Sequence, residues 1–329
     1  MKVRHTLSVF LSWLLLAGCA PRLQRGFKVG LVTDVGGLND QGFNSLAYQG
    51  LLKAKKKLHI MTNVIESHQA TDYEKNLQEF ADAGYNVIVS VGFMMGDATE
   101  AVAKRYPHSK FIIVDYKYQH EHPNIEGITF AEEQSGFLAG ALAALVSKTH
   151  VVGFVGGMDV PVIHRFKIGY EDGARAADPT IKVLSAYTGS FQDSAKGREV
   201  AAAEYDEGAD ICFQAAGASG LGVIDAAKDA NKLAIGVDAD QHAIAPHHVL
   251  SSALKNVNLA VYHAIVAAKA GHFAPGNTRL TLKDGAVGLA PYYDLASDVS
   301  PAAQKQIETF EQEIETGKIK IKLPAGDRV

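Results

Sequence analysis

The chain has 329 residues, of which 47% are hydrophobic and 21% charged, and this length allows one large or two modest globular domains. Its formal net charge of −4 argues against nucleic acid as a partner. Only two cysteines are present, Cys19 and Cys212, so no disulfide framework is expected.

The first 18 residues have the pattern of a secretory signal peptide. A basic start with Lys2 and Arg4 precedes an apolar run that is shorter than the roughly 20 residues a membrane-spanning helix needs. The Leu-Ala-Gly before Cys19 resembles the lipobox of bacterial lipoproteins, where the cysteine carries acyl chains such as palmitate. We therefore expect a signal peptide at 1–18, a lipidated tether at 19–26, and anchoring to the extracytoplasmic face of a bacterial membrane.

From residue 27 onward, short apolar runs alternate with longer amphipathic runs. The apolar runs are rich in Val, Ile and Phe, which is typical of strands buried on both faces of a parallel sheet. Strands are expected at 27–35, 62–67, 86–92, 110–116, 127–131, 150–157, 181–189, 209–217, 232–240 and 249–255. Helices are expected at 43–58, 73–84, 97–107, 132–148, 162–178, 194–208, 220–231, 256–271 and 301–318. This order predicts right-handed βαβ units and doubly wound α/β sheets. The series starts again near His150, which indicates two lobes rather than one very wide sheet.

Polar or aromatic residues follow most of the expected strands, at the edge where open α/β sheets bind their ligands. Taken singly, each is well explained as a helix cap or a turn residue. Together, the carboxylates and amides suit hydroxyl groups, and the Phe rings suit a flat base. A purine nucleoside fits this combination. The set, with the glycines that accompany these residues, comprises Asp34, Asn39, Asp40, Phe43, Asn44, Gly92, Phe93, Asp97, Asp115, Phe191, Asp193, Gly217, Gly220, Asp238, Asp240, Gln241 and Lys255.

Other patterns carry weaker signals. The glycines at 217–222 lack the GxGxxG order of a dinucleotide site. The histidine pairs at 120 and 122 and at 247–248 lie in expected turns, which favours solvated side chains over metal ligands. Glu132 and Glu133 stand where a helix begins, and a favourable position in the helix dipole explains them. No metal, other cofactor or catalytic residue is expected.

Several ordered motifs resemble the basic membrane protein (BMP, PnrA-like) family. They are TDVGGLNDQGFN at 33–44, FIIVD at 111–115, GITFAEEQSGFLAGALAA at 127–144, QAAGASGLGVIDAAK at 214–228 and GVDADQ at 236–241. The resemblance covers about residues 27–318. It implies a lipid-anchored substrate-binding lipoprotein of an ABC importer, a non-enzyme that binds purine nucleosides and works with permease and ATPase subunits. We expect it to be a monomer.

The resemblance also implies a fold, the type I periplasmic-binding-protein fold. In that fold two doubly wound α/β lobes are joined by a three-crossing hinge and close on the ligand. The crossings are expected near Ile128–Glu132, Lys255–Val257 and Leu280–Lys283. Lobe 1 would then comprise residues 27–130 plus about 256–282, and lobe 2 residues 131–255 plus about 283–329.

In lobe 1, the resemblance places the first loop against the ligand. Asn39, Asp40, Phe43 and Asn44 should face it, and the Phe43 ring should stack on one face of the base. Asp115 should contact the ligand from the same lobe.

In lobe 2, Phe191 is expected to supply the opposing ring, and Phe213 is its rival for that role. Gly217 should allow backbone to approach the ligand. Asp238 and Lys255 should hold the ribose hydroxyls, with Asp240 as the rival of Asp238.

Three other functions stay open at this point. A furanose or pentose would use the same carboxylates, although a pair of aromatic rings favours a base. A nucleoside-sensing receptor without transport would use the same closure of lobes. A nucleoside hydrolase would need an Asp cluster on one loop, and a Gly-rich turn separates Asp34 from Asp40.

Overall fold

The computed structural model describes residues 26–327. Two six-stranded sheets form the centres of two α/β lobes. In lobe 1 all pairings are parallel, in the order β11-β5-β4-β3-β1-β2. The strands of this sheet are β1 (Lys28–Thr33), β2 (Met61–Glu66), β3 (Val87–Val91), β4 (Lys110–Val114), β5 (Ile125–Phe130) and β11 (Gly276–Leu280).

In lobe 2 the order is β12-β10-β9-β8-β6-β7, and only the pairing of β10 with β12 is antiparallel among the described pairs. The strands are β6 (Val151–Gly156), β7 (Lys182–Tyr187), β8 (Ile211–Ala215), β9 (Leu233–Asp238), β10 (Val249–Lys255) and β12 (Val287–Leu289). The two-lobe α/β architecture expected from the alternation is therefore confirmed.

Helices cover both faces of each sheet, as a doubly wound fold requires. On the lobe 1 sheet, Val87, Val89 and Val91 join one apolar cluster, while Ile88 joins the cluster on the other face. The long helices are α1 (Phe43–Leu58), α2 (Tyr73–Asp82), α3 (Gly96–Arg105), α4 (Glu132–Val146), α5 (Pro161–Ala177), α6 (Ser194–Asp206), α7 (Ser219–Asp229), α8 (Val257–Lys269) and α9 (Pro301–Glu315). Within residues 26–327, no helix has both the length and the apolar character needed to cross a bilayer.

Helices α4 and α5 pack unusually closely, because glycines line their contact. A Cβ atom on Gly140 would lie 1.9 Å from the Tyr170 carbonyl oxygen, and one on Gly173 would lie 1.9 Å from the Phe137 carbonyl oxygen. These two positions therefore exclude any larger residue. The close contact fixes α5 against the hinge end of α4. It thereby positions the α5 residues that face the space between the lobes.

The chain passes between the lobes three times. The crossings lie between β5 and α4, between β10 and α8, and between β11 and β12. Backbone hydrogen bonds tie them together, since Ala131 N donates to Leu280 O (2.8 Å) and Asn256 N donates to Ala286 O (2.8 Å).

Candidate ligand-binding site

A cavity of about 540 Å³, including its mouth, lies between the lobes at the carboxyl ends of the strands. Both lobes and the end of β10 contribute to its wall. The lining consists of Asp34, Gly36, Asp40, Phe43, Asn44, Gly92, Phe93, Asp115, Val162, Ile163, Phe166, Phe191, Ala215, Gly217, Val237, Asp238 and Lys255.

Eight of the nine ligand-binding residues expected from the sequence line this cavity: Asp40, Phe43, Asn44, Asp115, Phe191, Gly217, Asp238 and Lys255. Asn39 is exposed and is not part of the lining, so its expected ligand contact has no counterpart in the site described here.

The Asp40 carboxylate is engaged by the start of α1. Its Oδ1 accepts from the backbone N–H of Gly42 (3.0 Å) and Ser45 (3.1 Å), and its Oδ2 accepts from that of Asn44 (2.7 Å). These are N–H groups that a helix start leaves without intrahelical partners. Asp40 therefore holds the turn that presents Phe43 and Asn44, in addition to facing the cavity.

Asp34 and Asn44 form a buried pair on the lobe 1 wall. Asn44 Nδ2 donates to Asp34 Oδ1 (2.8 Å), which also accepts from Gly36 N (2.9 Å). Burial raises the pKa of Asp34 to about 6, although these two hydrogen bonds oppose the shift. Asn44 Oδ1 is buried without a hydrogen-bond partner among the described residues, so it presents a free acceptor at the cavity wall.

Lys255 lies at the centre of a charge network that joins the two lobes. Its Nζ donates to Asp115 Oδ2 (2.7 Å) and lies 3.7 Å from both Glu132 Oε1 and Asp238 Oδ1. Burial opposes the charge on Lys255, but the carboxylates of Asp115, Asp238 and Glu132 raise the pKa of the ammonium above its ordinary value. Lys255 is therefore a charged donor at neutral pH.

Three carboxylate oxygens around Lys255 have no hydrogen-bond partner among the described residues, Glu132 Oε1, Asp115 Oδ1 and Asp238 Oδ1, and of these residues Asp115 and Asp238 line the cavity. Burial raises the pKa of both carboxyls, that of Asp238 to about 7. Buried acceptors without partners are unfavourable, so this geometry favours a ligand that supplies hydroxyl donors.

Four phenylalanines line the cavity, Phe43 and Phe93 from lobe 1 and Phe166 and Phe191 from lobe 2. The Phe43 ring centroid lies 4.6 Å from Lys255 Nζ. Gly217, at φ 58°, allows Phe191 to approach, since a Cβ there would lie 3.2 Å from the Phe191 carbonyl oxygen. The cavity thus has aromatic faces on both lobes.

Phe213 and Asp240, the alternatives to Phe191 and Asp238, lie away from the cavity. Phe213 is fully buried in lobe 2, with its ring 5.2 Å from that of Tyr170 and 5.6 Å from that of Phe154. Asp240 is exposed and accepts a hydrogen bond from the Tyr293 hydroxyl (2.5 Å). Neither lines the cavity.

A family model for PnrA-like ABC transporter substrate-binding proteins matches residues 27–323. The chain belongs to this family. Its members are extracytoplasmic substrate-binding proteins of ABC transporters and are not enzymes. The resemblance seen in the sequence motifs is therefore confirmed.

Family relatives of known name agree with this assignment. The chain is 38% identical over 296 residues to the ABC transporter nucleoside-binding protein BmpA of Lactococcus lactis subsp. cremoris, covering 83% of this chain and 84% of that protein. It is 39% identical over 234 residues to basic membrane protein A of Borreliella afzelii, covering 70% and 71%.

Solved structures agree on the fold. An ABC transporter system solute-binding protein from Aeropyrum pernix K1 superposes with a TM-score of 0.86 at 27% identity, covering 91% of this chain and 94% of that one. The periplasmic-binding-protein fold expected from the sequence is confirmed.

The structure adds lining residues to which sequence reasoning assigned no role. Asp34 and Phe93 belong to the strand-end set expected from the sequence, because each directly follows a strand or its terminal glycine, but no ligand contact was expected of either. Val162, Ile163 and Phe166 carry no such signal in the sequence, because they lie on the first turns of α5 and reach the cavity only through the packing of that helix.

The helix dipole alone does not explain why Glu132 and Glu133 stand at the start of α4. Both are buried, and each pairs with an arginine: Glu132 Oε2 with Arg165 Nε (2.7 Å) and Glu133 Oε1 with Arg279 (2.5 Å). Glu132 therefore belongs to the charge network around Lys255. Among the described residues, no group of three or more His, Cys, Asp or Glu side chains could hold a metal ion.

Proposed function

We propose that this family member binds purine nucleosides in the cavity between its lobes and delivers them to the permease and ATPase of an ABC importer. The observation that carries the proposal is one cavity that combines aromatic faces from both lobes with free acceptors beside a charged lysine. A flat base matches the aromatic faces, and the diol of an attached ribose matches the free acceptors and the lysine. The nucleoside-binding name of the Lactococcus lactis relative supports the same ligand class.

The base would lie between Phe43 and Phe191, which approach from opposite lobes. Stacking on aromatic side chains is worth about 1–3 kcal/mol per base and tolerates different bases. The Asp34–Asn44 pair would face the polar edge of the base, with Asn44 Oδ1 accepting from a ring or amino N–H. Phe43 and Phe191 would therefore supply most of the affinity, and the Asp34–Asn44 pair would supply the preference among purines.

The ribose would lie at the charge network. Asp115 Oδ1 and Asp238 Oδ1 would accept from its hydroxyls, and Lys255 would donate to them. Carboxylate acceptors form charge-assisted hydrogen bonds, which are stronger than neutral ones. Because Asp115 comes from lobe 1 and Asp238 from lobe 2, the ribose would bridge the lobes.

Binding would stabilise the closed state, since only that state places both rings and both carboxylates around one ligand. A ligand shifts a conformational equilibrium by its difference in affinity for the two states. The closed form is then the species that a permease would recognise. Attachment to the membrane would come from Cys19, which lies outside the described residues.

Isothermal calorimetry tests this function on protein that has been unfolded and refolded to remove any co-purified ligand. The titrants are adenosine, guanosine, inosine, cytidine, uridine and ribose. Sub-micromolar binding of purine nucleosides alone is expected. Binding of ribose alone, or of none of the titrants, would refute the nucleoside assignment while leaving the family membership intact.

A further inference from the structure

Gln241 forms a hydrogen bond across the cleft without being part of the cavity wall. It lies in the loop after β9 of lobe 2 and is only 2% exposed. Its side-chain Nε2 donates to the backbone carbonyl oxygen of Gln41 in lobe 1 (3.1 Å). This contact is separate from the Lys255–Asp115 pair, which the proposed ligand would touch.

The orientation of the Gln241 amide is fixed by its partners. Its Oε1 accepts from the backbone N–H of Val237 (3.1 Å) and from Gln214 Nε2 (2.8 Å), both in lobe 2. A backbone N–H can only donate and a backbone carbonyl can only accept, so the oxygen must face Val237 and the nitrogen must face Gln41. The side chain is thus a donor aimed at the opposite lobe.

Two glycines make room for this arrangement. A Cβ atom on Gly236 would lie 2.6 Å from Gln241 Oε1, and one on Gly220 would lie 1.9 Å from Gln214 Oε1. The Gln241 backbone N–H also donates to Ser252 Oγ (3.0 Å). The donor is therefore held rigidly by lobe 2 before it meets lobe 1.

Both ends of the contact adjoin residues that line the cavity. Val237 directly precedes Asp238. Gln41, at φ 49°, lies in the turn that Asp40 caps, two residues before Phe43. A left-handed conformation at a non-glycine residue is uncommon, so the Gln41 carbonyl has a well-defined direction only while this turn is intact.

We propose that Gln241 is a latch that stabilises the closed state of the protein and aligns the Asp238 and Phe43 walls, without contacting the ligand. When the lobes separate, the bond to Gln41 breaks and the Gln241 nitrogen is left to water. The bond therefore contributes to the closed state only, and its loss speeds ligand release. This inference rests on the proposed nucleoside binding.

The test compares nucleoside binding by wild-type protein with binding by Gln241→Met and Gln241→Glu. Gln241→Met removes the donor to lobe 1 and also the acceptor of Val237 and Gln214 within lobe 2. Gln241→Glu keeps an acceptor oxygen within lobe 2 and turns the second carboxylate oxygen toward the Gln41 carbonyl. Loss of one neutral hydrogen bond predicts a Kd for the tightest-binding purine nucleoside that is about 2- to 12-fold higher. The change should appear in the dissociation rate measured by stopped flow, and Gln241→Glu should match or exceed Gln241→Met.

Asn124→Leu is the matched control, because it removes another buried amide that donates only within lobe 1, to the carbonyl oxygens of Ala103, Tyr106 and Ser109. It should lower the Tm of the protein without changing nucleoside dissociation. If Gln241→Met lowers the Tm in the same way and leaves the dissociation rate unchanged, the latch is refuted and the nucleoside site stands. A wild-type protein that binds no nucleoside refutes both.

If the Gln241 variants do not fold, the wild-type side-chain amide protons of Gln241 decide the question. Their exchange with solvent is measured by NMR with and without saturating nucleoside. Slower exchange in the saturated protein supports the latch, and equal exchange in both states overturns it.

Discussion

Replacing Phe43 by alanine removes the aromatic face that lobe 1 contributes beside the charge network. Phe43 is the first residue of α1 and is half-buried, with its ring centroid 4.6 Å from Lys255 Nζ. Loss of a stacking ring costs about 1–3 kcal/mol of binding free energy, which corresponds to a Kd about 5- to 150-fold higher.

Calorimetry with purine nucleosides measures the effect, and Phe43→Leu is the matched control. Leucine keeps most of the apolar contact with the core but has no ring face, so its loss of affinity should lie between those of wild type and Phe43→Ala. Thermal melting of the ligand-free variants shows whether the fold is intact. Unchanged nucleoside affinity in a folded Phe43→Ala protein would remove this ring from the binding site.

Three further predictions concern single side chains. Asp238→Asn should weaken nucleoside binding roughly tenfold while sparing free purine bases, because it removes only the charged ribose acceptor; equal losses in calorimetry would place Asp238 away from the ribose. Burial raises the pKa of Glu204 to about 8, so the stability contributed by its neutral form should be lost as pH rises from about 4.5 through about 8. The free energy of unfolding, measured with urea, should fall between pH 6 and pH 9 in the wild type and fall less in Glu204→Gln. An equal fall in both proteins would contradict the role of Glu204. Cys19→Ser should move the protein from the membrane fraction to the soluble fraction without changing affinity, and continued membrane association would contradict lipid anchoring.

Much of the lobe architecture could be predicted from local patterns. A run such as VIVSV is apolar at every position except Ser90, and in the structure β3 is buried at every position. The edge strands β2 and β7 are more exposed, as their single neighbours allow. Strand β11 is harder to predict from a local pattern. Most of its residues are exposed, and it joins the lobe 1 sheet through its pairing with β5.

The candidate site was predictable wherever it follows a strand. Parallel strands bring their carboxyl ends to one edge of the sheet, so Asp115, Asp238 and Lys255 converge although they are distant in sequence. The same rule includes Asp34, which directly follows β1 and lines the cavity. It mistakenly included Asp240, which is exposed because the chain has already turned away from the sheet.

By itself, the sequence determined the α/β class, the division into two lobes, the family and most of the strand-end residues, because strand burial and strand ends are local properties. Only the tertiary structure decided which polar atoms are already engaged and which are free. Asp40 is used by the helix start, whereas Asp115 and Asp238 each keep an acceptor without a partner. The contacts of Lys255 with Asp115 and of Gln241 with Gln41 join residues 140 and 200 positions apart. Such pairs exist only when the two lobes meet, and no local pattern specifies that meeting.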